Sequence, residues 1–358
     1  VVSWNTIISG YAQLELFHEA LVVFKEMQQE GPQPDSITLS SILKVCAAMA
    51  MLDYGMQAHN LILECSLDVD IYVKSALIDM YVKCGAMKEA NYTFNYISGQ
   101  NVASWNAIIT GYAQYGYNDE AFICFRHMQD MGVCPNAVTY ICILKACSIV
   151  GCLEIGEAMD VEVRKQGLLE KDVMLGNTLV DMYAQWGSLI IAQHVFDELP
   201  ARDAIACNSL IAGYAQAGKS ESAFHVFERM LGEQIKPDPI TFIIVLNACS
   251  RAGLSSKSKT YFESMSKDFG IIPTLEHHAG LVDLLCRVGQ LDKAVSIIKK
   301  MPFSPNLVVW NTVLGACRYN GNVELGKQAF EETMSLDESH VTAYVSMYNI
   351  YADADVVL

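Results

Sequence analysis

The 358-residue chain has no long hydrophobic run. A membrane span needs about 20 consecutive apolar residues, and the longest candidate, around Phe242 to Leu246, is far shorter. It has 12 cysteines but no Cys-x-x-Cys pair. That excludes the spacing of a zinc ribbon or a disulfide-stapled secreted scaffold, and reduced thiols in an intracellular setting are expected. His-x-Glu is missing as well, so a zinc deaminase centre, which needs that pair with a Pro-Cys-x-x-Cys run, is not expected in this chain. Prolines number only 9, which favours helix. Charged residues are few, 18% against 52% hydrophobic, which excludes intrinsic disorder. Basic residues are the scarcer sign: 24 Lys+Arg face 40 Asp+Glu, for a net charge of −16. A nucleic-acid binder usually shows a basic footprint, so this balance opposes such a function. The chain opens at Val1 with no Met, signal peptide or basic leader, as expected of a piece of something longer.

What is present is repetition. VVSWNTIISGYAQ begins at Val1, VASWNAIITGYAQ at Val102 and AIACNSLIAGYAQ at Ala204, separations of 101 and 102 residues. Each unit divides into three. SITLSSILKVCAA (Ser36), AVTYICILKACSI (Ala137) and PITFIIVLNACSR (Pro239) open the middle parts. IYVKSALIDMYVKCG (Ile71), VMLGNTLVDMYAQWG (Val173) and LEHHAGLVDLLCRVG (Leu275) open the third parts. The nine repeats run 35, 35, 31, then 35, 36, 31, then 35, 36, 32 residues, and cover 1–306. Each reads as two short helices. The first carries apolar positions such as Trp4, Ile7, Ile8 and Tyr11; the second carries Ala-x3-aromatic-x2-Met or a relative, as at Ala20/Phe24/Met27 and Ala90/Phe94/Ile97. Spacings of four and three place these residues on one helical face. Gly85, Gly116, Gly187, Gly218 and Gly289 fall between the helices, as C-capping glycines do. One helical pair cannot bury its apolar face alone, so neighbours must stack. The expected fold is all-α, an α-α superhelical solenoid of helix-turn-helix repeats.

These residues resemble the pentatricopeptide repeat family. The alternation of lengths resembles its plant PLS subclass, giving triplets at 1–101, 102–203 and 204–306. Val308–Phe330 is similar to the first E motif of RNA-editing factors, and Ala343–Ala354 to the start of the second, so 307–340 and 341–358 are expected to be E motifs, the latter truncated. The resemblance implies sequence-specific binding of single-stranded organellar RNA, one base per repeat. It implies location in a mitochondrion or chloroplast, C-to-U editing, and a cytidine deaminase (DYW) domain in cis or in trans, with editing accessory proteins as further partners. No cofactor, metal or catalytic residue is implied for the chain itself.

In the family a base is read by the fifth residue of a repeat and its last. Asn at the fifth goes with pyrimidines and Ser or Thr with purines; Asp at the last goes with uracil or guanine, Asn with bases bearing an exocyclic amine. Carried over, Asn5 with Asp35 implies uracil, Ser75 with Asn101 adenine, and Asn106 with Asn136 a pyrimidine. Asn177 with Asp203 and Asn208 with Asp238 each imply uracil. The middle repeats carry Ser40/Asp70, Ile141/Asp172 and Ile243/Thr274, and the last short repeat Ala279/Asn306; these are left undecoded. The implied RNA is U-x-A-Y-x-U-U-x-x. The second residue of each repeat sandwiches the base in the family: here Val2, Ile37, Tyr72, Val138, Met174, Ile205 and Ile240, with a thin Ala103 and an unsuitable Glu276. The thirteenth position, where the family places lysine, holds Lys83 and Arg287 but otherwise Gln13, Gln114, Gln185 and Gln216. Weak, salt-sensitive binding is expected.

Plainer readings stand beside these. Asn at the fifth position could be a helix N-cap, and the closing Asp could cap the following helix while also reading a base. Cys46, Cys147, Cys249 and Cys317 share the eleventh place of their motifs, where small packing residues are expected. Trp4, Trp105 and Trp310 share a fourth place and read as inter-helix core. His277–His278 are adjacent, do not face one way along a helix, and read as core or surface. The rival function is a protein-interaction scaffold, which suits the acidic charge and has no use for Asn/Asp pairs spaced one repeat apart.

Overall fold

A computed structural model describes residues 1–67, 70–96 and 100–354. It places 21 helices and no strand among the described residues. The first helices of successive pairs are α1 (Val2–Gln13), α3 (Ser36–Ala48), α5 (Ile71–Lys83), α7 (Val102–Gln114), α9 (Ala137–Val150) and α11 (Val173–Gln185). They continue as α13 (Ala204–Gln216), α15 (Pro239–Ala252), α17 (Leu275–Arg287), α19 (Leu307–Asn320) and α21 (Val341–Asp353). The second helices are α2 (Phe17–Glu30), α4 (Leu52–Glu64), α6 (Met87–Tyr96), α8 (Asn118–Asp130) and α10 (Leu153–Lys165). After them come α12 (Leu189–Glu198), α14 (Ser220–Gly232), α16 (Ser255–Lys267), α18 (Leu291–Lys300) and α20 (Val323–Leu336). Ile97 and the last four residues of the expected second E motif, 355–358, lie outside the described residues.

Contacts divide the chain into two compact units, Val1–Thr178 and Leu179–Leu358, with the division inside α11. In the first unit α1, α3, α5, α7 and α9 pack in series; in the second α13, α15, α17, α19 and α21 do the same. Each series is a stack of helical hairpins in which a first helix also receives its own second helix.

Caps set the helix boundaries. Asp35, Asn101, Asn136, Asp203, Asp238 and Asn306 all hold extended backbone at an N-cap, and each side chain accepts from an N–H in the first turn. Such a cap contributes about 1 kcal/mol. The inter-helix glycines lie one residue past the C-cap with left-handed backbone; Gly85, at φ 76°, is one example. In the first hairpin Glu15 takes that conformation at φ 60°, without glycine's freedom.

The Ala-x3-aromatic faces form the core. Ala20, Phe24 and Met27, Ala121, Phe125 and Met128, and Ala223, Phe227 and Met230 are all buried. Cys46, Cys147, Cys249 and Cys317 are fully buried packing residues. Burial pushes their thiols up, to about 11 for Cys46 and Cys317 and about 12 for Cys147 and Cys249, so they stay protonated at neutral pH. Trp105 and Trp310 are buried as expected, whereas Trp4, on a helix that packs against α2 and α3, is only half-buried. Ile7 is likewise exposed while its counterpart Ile108 is not.

Gly10, Gly111 and Gly213 share one motif place, yet their surroundings differ. A Cβ on Gly111 would lie 2.8 Å from both Val82 methyls and 3.0 Å from Met87 Sδ; on Gly10 it would meet nothing within 4 Å. Gly111→Val should therefore destabilise by about 1–3 kcal/mol through overpacking. Gly10→Ala should stabilise by about 0.5–1 kcal/mol through helix propensity. Urea midpoints at unchanged slope would check both.

Candidate nucleic-acid interface

The residue after each cap-flanked helix start points outward. Val2, Ile37, Tyr72, Val138, Met174, Ile205 and Ile240 are apolar yet 48–80% exposed. Val308 of α19 shares this place and is exposed too. Exposed apolar residues thus recur once per repeat at this place. Ala103 and Glu276 occupy the same place and are exposed; Glu276 accepts from the Thr274 hydroxyl, which ties it to its own helix start.

The fifth residues lie one turn further in. Asn5, Asn106, Asn177 and Asn208 are buried and sit inside their helices, so none is an N-cap. The closing residues are the caps, and they are half-buried or exposed. In each unit the two positions meet. Asn5 Nδ2 donates to both Asp35 carboxylate oxygens at 2.9 Å. Asn106 Nδ2 donates to Asn136 Oδ1 at 3.0 Å, and Ser75 Oγ to Asn101 Oδ1 at 3.2 Å. In the second unit Asn208 Nδ2 donates to Asp238 Oδ1 at 3.2 Å. Asn177 is in the first unit and Asp203, which caps α13 through the Ala206 N–H, in the second.

Capping leaves one side of Asp238, Asn136 and Asn101 open, whereas both oxygens of Asp35 accept from Asn5. Asp238 Oδ1 accepts from the Thr241 N–H, the Thr241 hydroxyl and Asn208; no described hydrogen bond reaches its Oδ2. Asn136 Oδ1 accepts from the Thr139 N–H and Asn106, and no described bond uses its Nδ2. Asn101 likewise binds through Oδ1, to the Ser104 N–H and Ser75. Asp238 thus offers an acceptor, and Asn136 and Asn101 a donor. At Asp35 burial alone would raise the carboxyl; the Thr38 N–H and the Asn5 amide outweigh it and hold the group below its usual range.

Threonines that sequence reasoning missed fix this geometry. Thr38 and Thr139 are fully buried and donate to Asn5 Oδ1 and, at 2.6 Å, to Asn106 Oδ1. That turns the amide nitrogens toward the closing residues. The signal was the spacing Asp/Asn-x-x-Thr at Asp35–Thr38, Asn136–Thr139 and Asp238–Thr241, a capping-box pattern. The third copy differs: Thr241 bonds Asp238, and the buried Asn208 Oδ1 has no partner among the described residues.

In the first unit a groove of about 470 Å³ gathers these features. It is lined by Tyr72, Ala103 and Val138 at second positions, Ser75 and Asn106 at fifth positions, and Lys44. Lys83 and Arg287 are exposed but already paired, Lys83 to Asp79 at 2.9 Å and Arg287 to Asp283 at 2.8 Å. Such surface pairs are worth under about 1 kcal/mol, so either cation can exchange its partner for a phosphate at little cost. His277 is the buried N3 residue of the Thr274 capping box and bonds the Pro239 carbonyl oxygen at 2.9 Å; His278 packs between Phe262 and Phe303.

The acidic charge is unevenly placed. The eleven first helices hold seven cations and five acids, a net of +2, so the whole excess of acid lies elsewhere.

A PPR repeat family model matches residues 1–48, 100–148 and 202–251, and a PPR repeat model matches 240–268, 280–304 and 308–336. The chain belongs to the pentatricopeptide repeat family. A chloroplastic pentatricopeptide repeat-containing protein of Arabidopsis thaliana is 38% identical over 98% of this chain and 58% of its own length. A mitochondrial one from the same plant is 36% identical over 99% of this chain and 41% of its own length. The chain therefore spans about half the length of these relatives. The crystal structure of the pentatricopeptide repeat protein PPR10, in complex with an 18-nucleotide psaJ RNA element, superposes with a TM-score of 0.76 at 18% identity, over 99% of this chain and 58% of that one. The shared fold is the α-α superhelical solenoid. No described helix is long and apolar enough to cross a membrane.

Proposed function

We propose that this chain is the RNA-recognition part of an organellar C-to-U editing factor of the PLS type. It reads single-stranded RNA one base per repeat, with the preference U-x-A-Y-x-U-U-x-x. The observation that carries this is the unused half of the closing side chains Asp238, Asn136 and Asn101. Uracil and guanine present a ring N–H, which suits the open acceptor of Asp238; cytosine and adenine present a ring nitrogen acceptor, which suits the open amide N–H of Asn136 and Asn101. The exposed apolar second residues beside them offer a packing surface for base faces. A protein scaffold needs neither. The buried fifth residues set the closing residue's position and the room left for a base. The RNA bound in the crystal structure of PPR10, and the chloroplastic and mitochondrial relatives, agree with an organellar RNA target.

The editing role rests on the resemblance of 307–358 to E motifs. In this reading the chain selects the site and has no catalytic group of its own; a cytidine deaminase domain acts in cis or in trans. The first helices themselves are nearly neutral, but Asp35, Asp70, Asp172, Asp203 and Asp238 at their starts place acid beside the RNA path, and with few phosphate contacts this makes affinity modest and salt-sensitive.

The test is binding, at fixed salt, to an oligomer of about 15 nucleotides carrying U-x-A-Y-x-U-U, with cytosine at undefined places. The comparison oligomer has guanine for the two adjacent uracils. Each lost read costs roughly 1–3 kcal/mol by analogy with DNA, so a preference of at least about thirtyfold is expected. Equal binding of the two by folded protein would remove the base-reading proposal and favour the scaffold.

A further inference from the structure

We infer a second interaction surface, a cationic groove between α16 and α18 that takes an acidic amphipathic helix from a partner protein. The inference is independent of the RNA reading and concerns a different face. The groove, about 710 Å³, has α16 and α18 as its walls and α17 as its floor. The floor is apolar, with Leu281, Leu284 and Leu285, and Ile297 and Met301 extend it. The residues of α17 that share the first-helix surface, Glu276, Ala279, Asp283 and Arg287, do not line it. On a helix of 100° per residue, Leu281 and Leu285 lie on the side away from Ala279 and Asp283.

Charge singles this groove out. Of the ten second helices, seven carry net negative charge, α6 is neutral, and among the described residues only α16 and α18 are positive, each +2. The groove lies between those two. Its rim holds Lys259 on one wall and Lys293 and Lys300 on the other. Its one acid, Glu263, is shared by Lys259 at 3.9 Å and Lys267 at 3.3 Å, so the local balance stays positive. Lys293 bonds only Gln290, at 3.0 Å, and Lys300 has no ion-pair partner among the described residues.

Dimensions choose the occupant. Lys293 and Lys300 are seven residues apart, two turns on one face, or about 10 Å. An apolar floor two turns long between cationic edges complements a helix with an apolar stripe flanked by Asp or Glu, the helix-in-groove mode of recognition. Ser255, Ser256 and Ser296 at the rim supply hydroxyls for its polar edge.

The probe is a fluorescent, end-blocked peptide of about 14 residues, with Leu at i, i+3, i+4, i+7 and i+11 and Glu flanking the stripe. It is titrated against the whole chain beside a scrambled peptide of equal composition and one with Lys for Glu. The Leu/Glu helix should bind at least about tenfold tighter than either. Lys293→Glu with Lys300→Glu should weaken it at least about tenfold, while Lys236→Glu with Lys299→Glu, the same charge change outside the groove, should not. All four lysines are exposed, and circular dichroism confirms folding. Hydrogen exchange should slow in α16 to α18 on binding. No advantage over the scrambled peptide, equal weakening by both double variants, or displacement of the peptide by the U-x-A-Y-x-U-U oligomer would each overturn the inference.

Discussion

Replacing Asn208 by serine should move the base preferred at that repeat from uracil to guanine. The expectation rests on the division of labour between the two positions. Asp238 keeps an open Oδ2 in the variant, and guanine, like uracil, presents a ring N–H to it. Serine is shorter than asparagine and leaves room for the larger ring. Asn208 is also the fifth residue whose replacement disturbs least. Its Oδ1 has no partner among the described residues, so no buried donor is orphaned, whereas Asn5 and Asn106 each accept from a buried threonine. The ratio of affinities for U-x-A-Y-x-U-U and the oligomer with guanine at that last uracil should shift by about 5–150-fold toward guanine, the equivalent of 1–3 kcal/mol. Asp238→Asn is the companion change. Asparagine caps a helix about as well as aspartate, so α15 stays intact, but the open atom becomes a donor and uracil should lose its advantage. Both variants should melt within a few degrees of the parent. An unchanged preference in a folded Asn208→Ser protein would show that the fifth position does not select the base.

The fold was legible because repetition multiplies weak local signals. Any one Asp or Asn before an apolar run is an uncertain cap, but six at matched places, Asp35 to Asn306, define a lattice of helix starts. The second-position row was legible for the same reason: one exposed Ile37 means nothing, while the series through Ile240 does. What could not be read was how identical motifs differ in place. Gly10 and Gly111 stand in the same SGYAQ or TGYAQ context, yet one faces open space and the other abuts Val82. That difference is a matter of tertiary packing, since α7 packs against α5 and α6 as well as α8 and α9, and α1 against α2 and α3. Nor did the sequence divide labour within the proposed reading pair. It presented Asn5 and Asp35 as equals, and burial makes the first a buttress and the second the accessible group. Charge placement was illegible similarly, since net charge is a sum and only helix assignment shows where its terms fall: the first helices carry +2, while five Asp stand at their starts.

Removal of the Trp105 side chain should be among the most damaging single changes in the first unit. Trp105 is fully buried, 4.6 Å from the Phe94 ring and 5.3 Å from that of His127, both edge-on. It bridges α6, α7 and α8, so its loss leaves a large cavity at a junction of hairpins. Trp105→Ala should cost about 3–5 kcal/mol. Trp4→Ala, at the equivalent but half-buried place, should cost far less, because water already reaches much of that ring. Trp105→Phe separates shape from polarity: the indole Nε1 has no hydrogen-bond partner among the described residues, so the smaller ring removes that donor and recovers part of the aromatic contact. It should fall between the parent and alanine. In a stacked array each hairpin is held chiefly by its neighbours, so the damage should also be local. Urea unfolding of Trp105→Ala should lose its single transition, with the early phase confined to α6 to α8 by hydrogen exchange. If the variant instead unfolds in one step with its midpoint little changed, Trp105 does not couple these hairpins, and the stack draws its cohesion from the first-helix series running α5, α7 and α9.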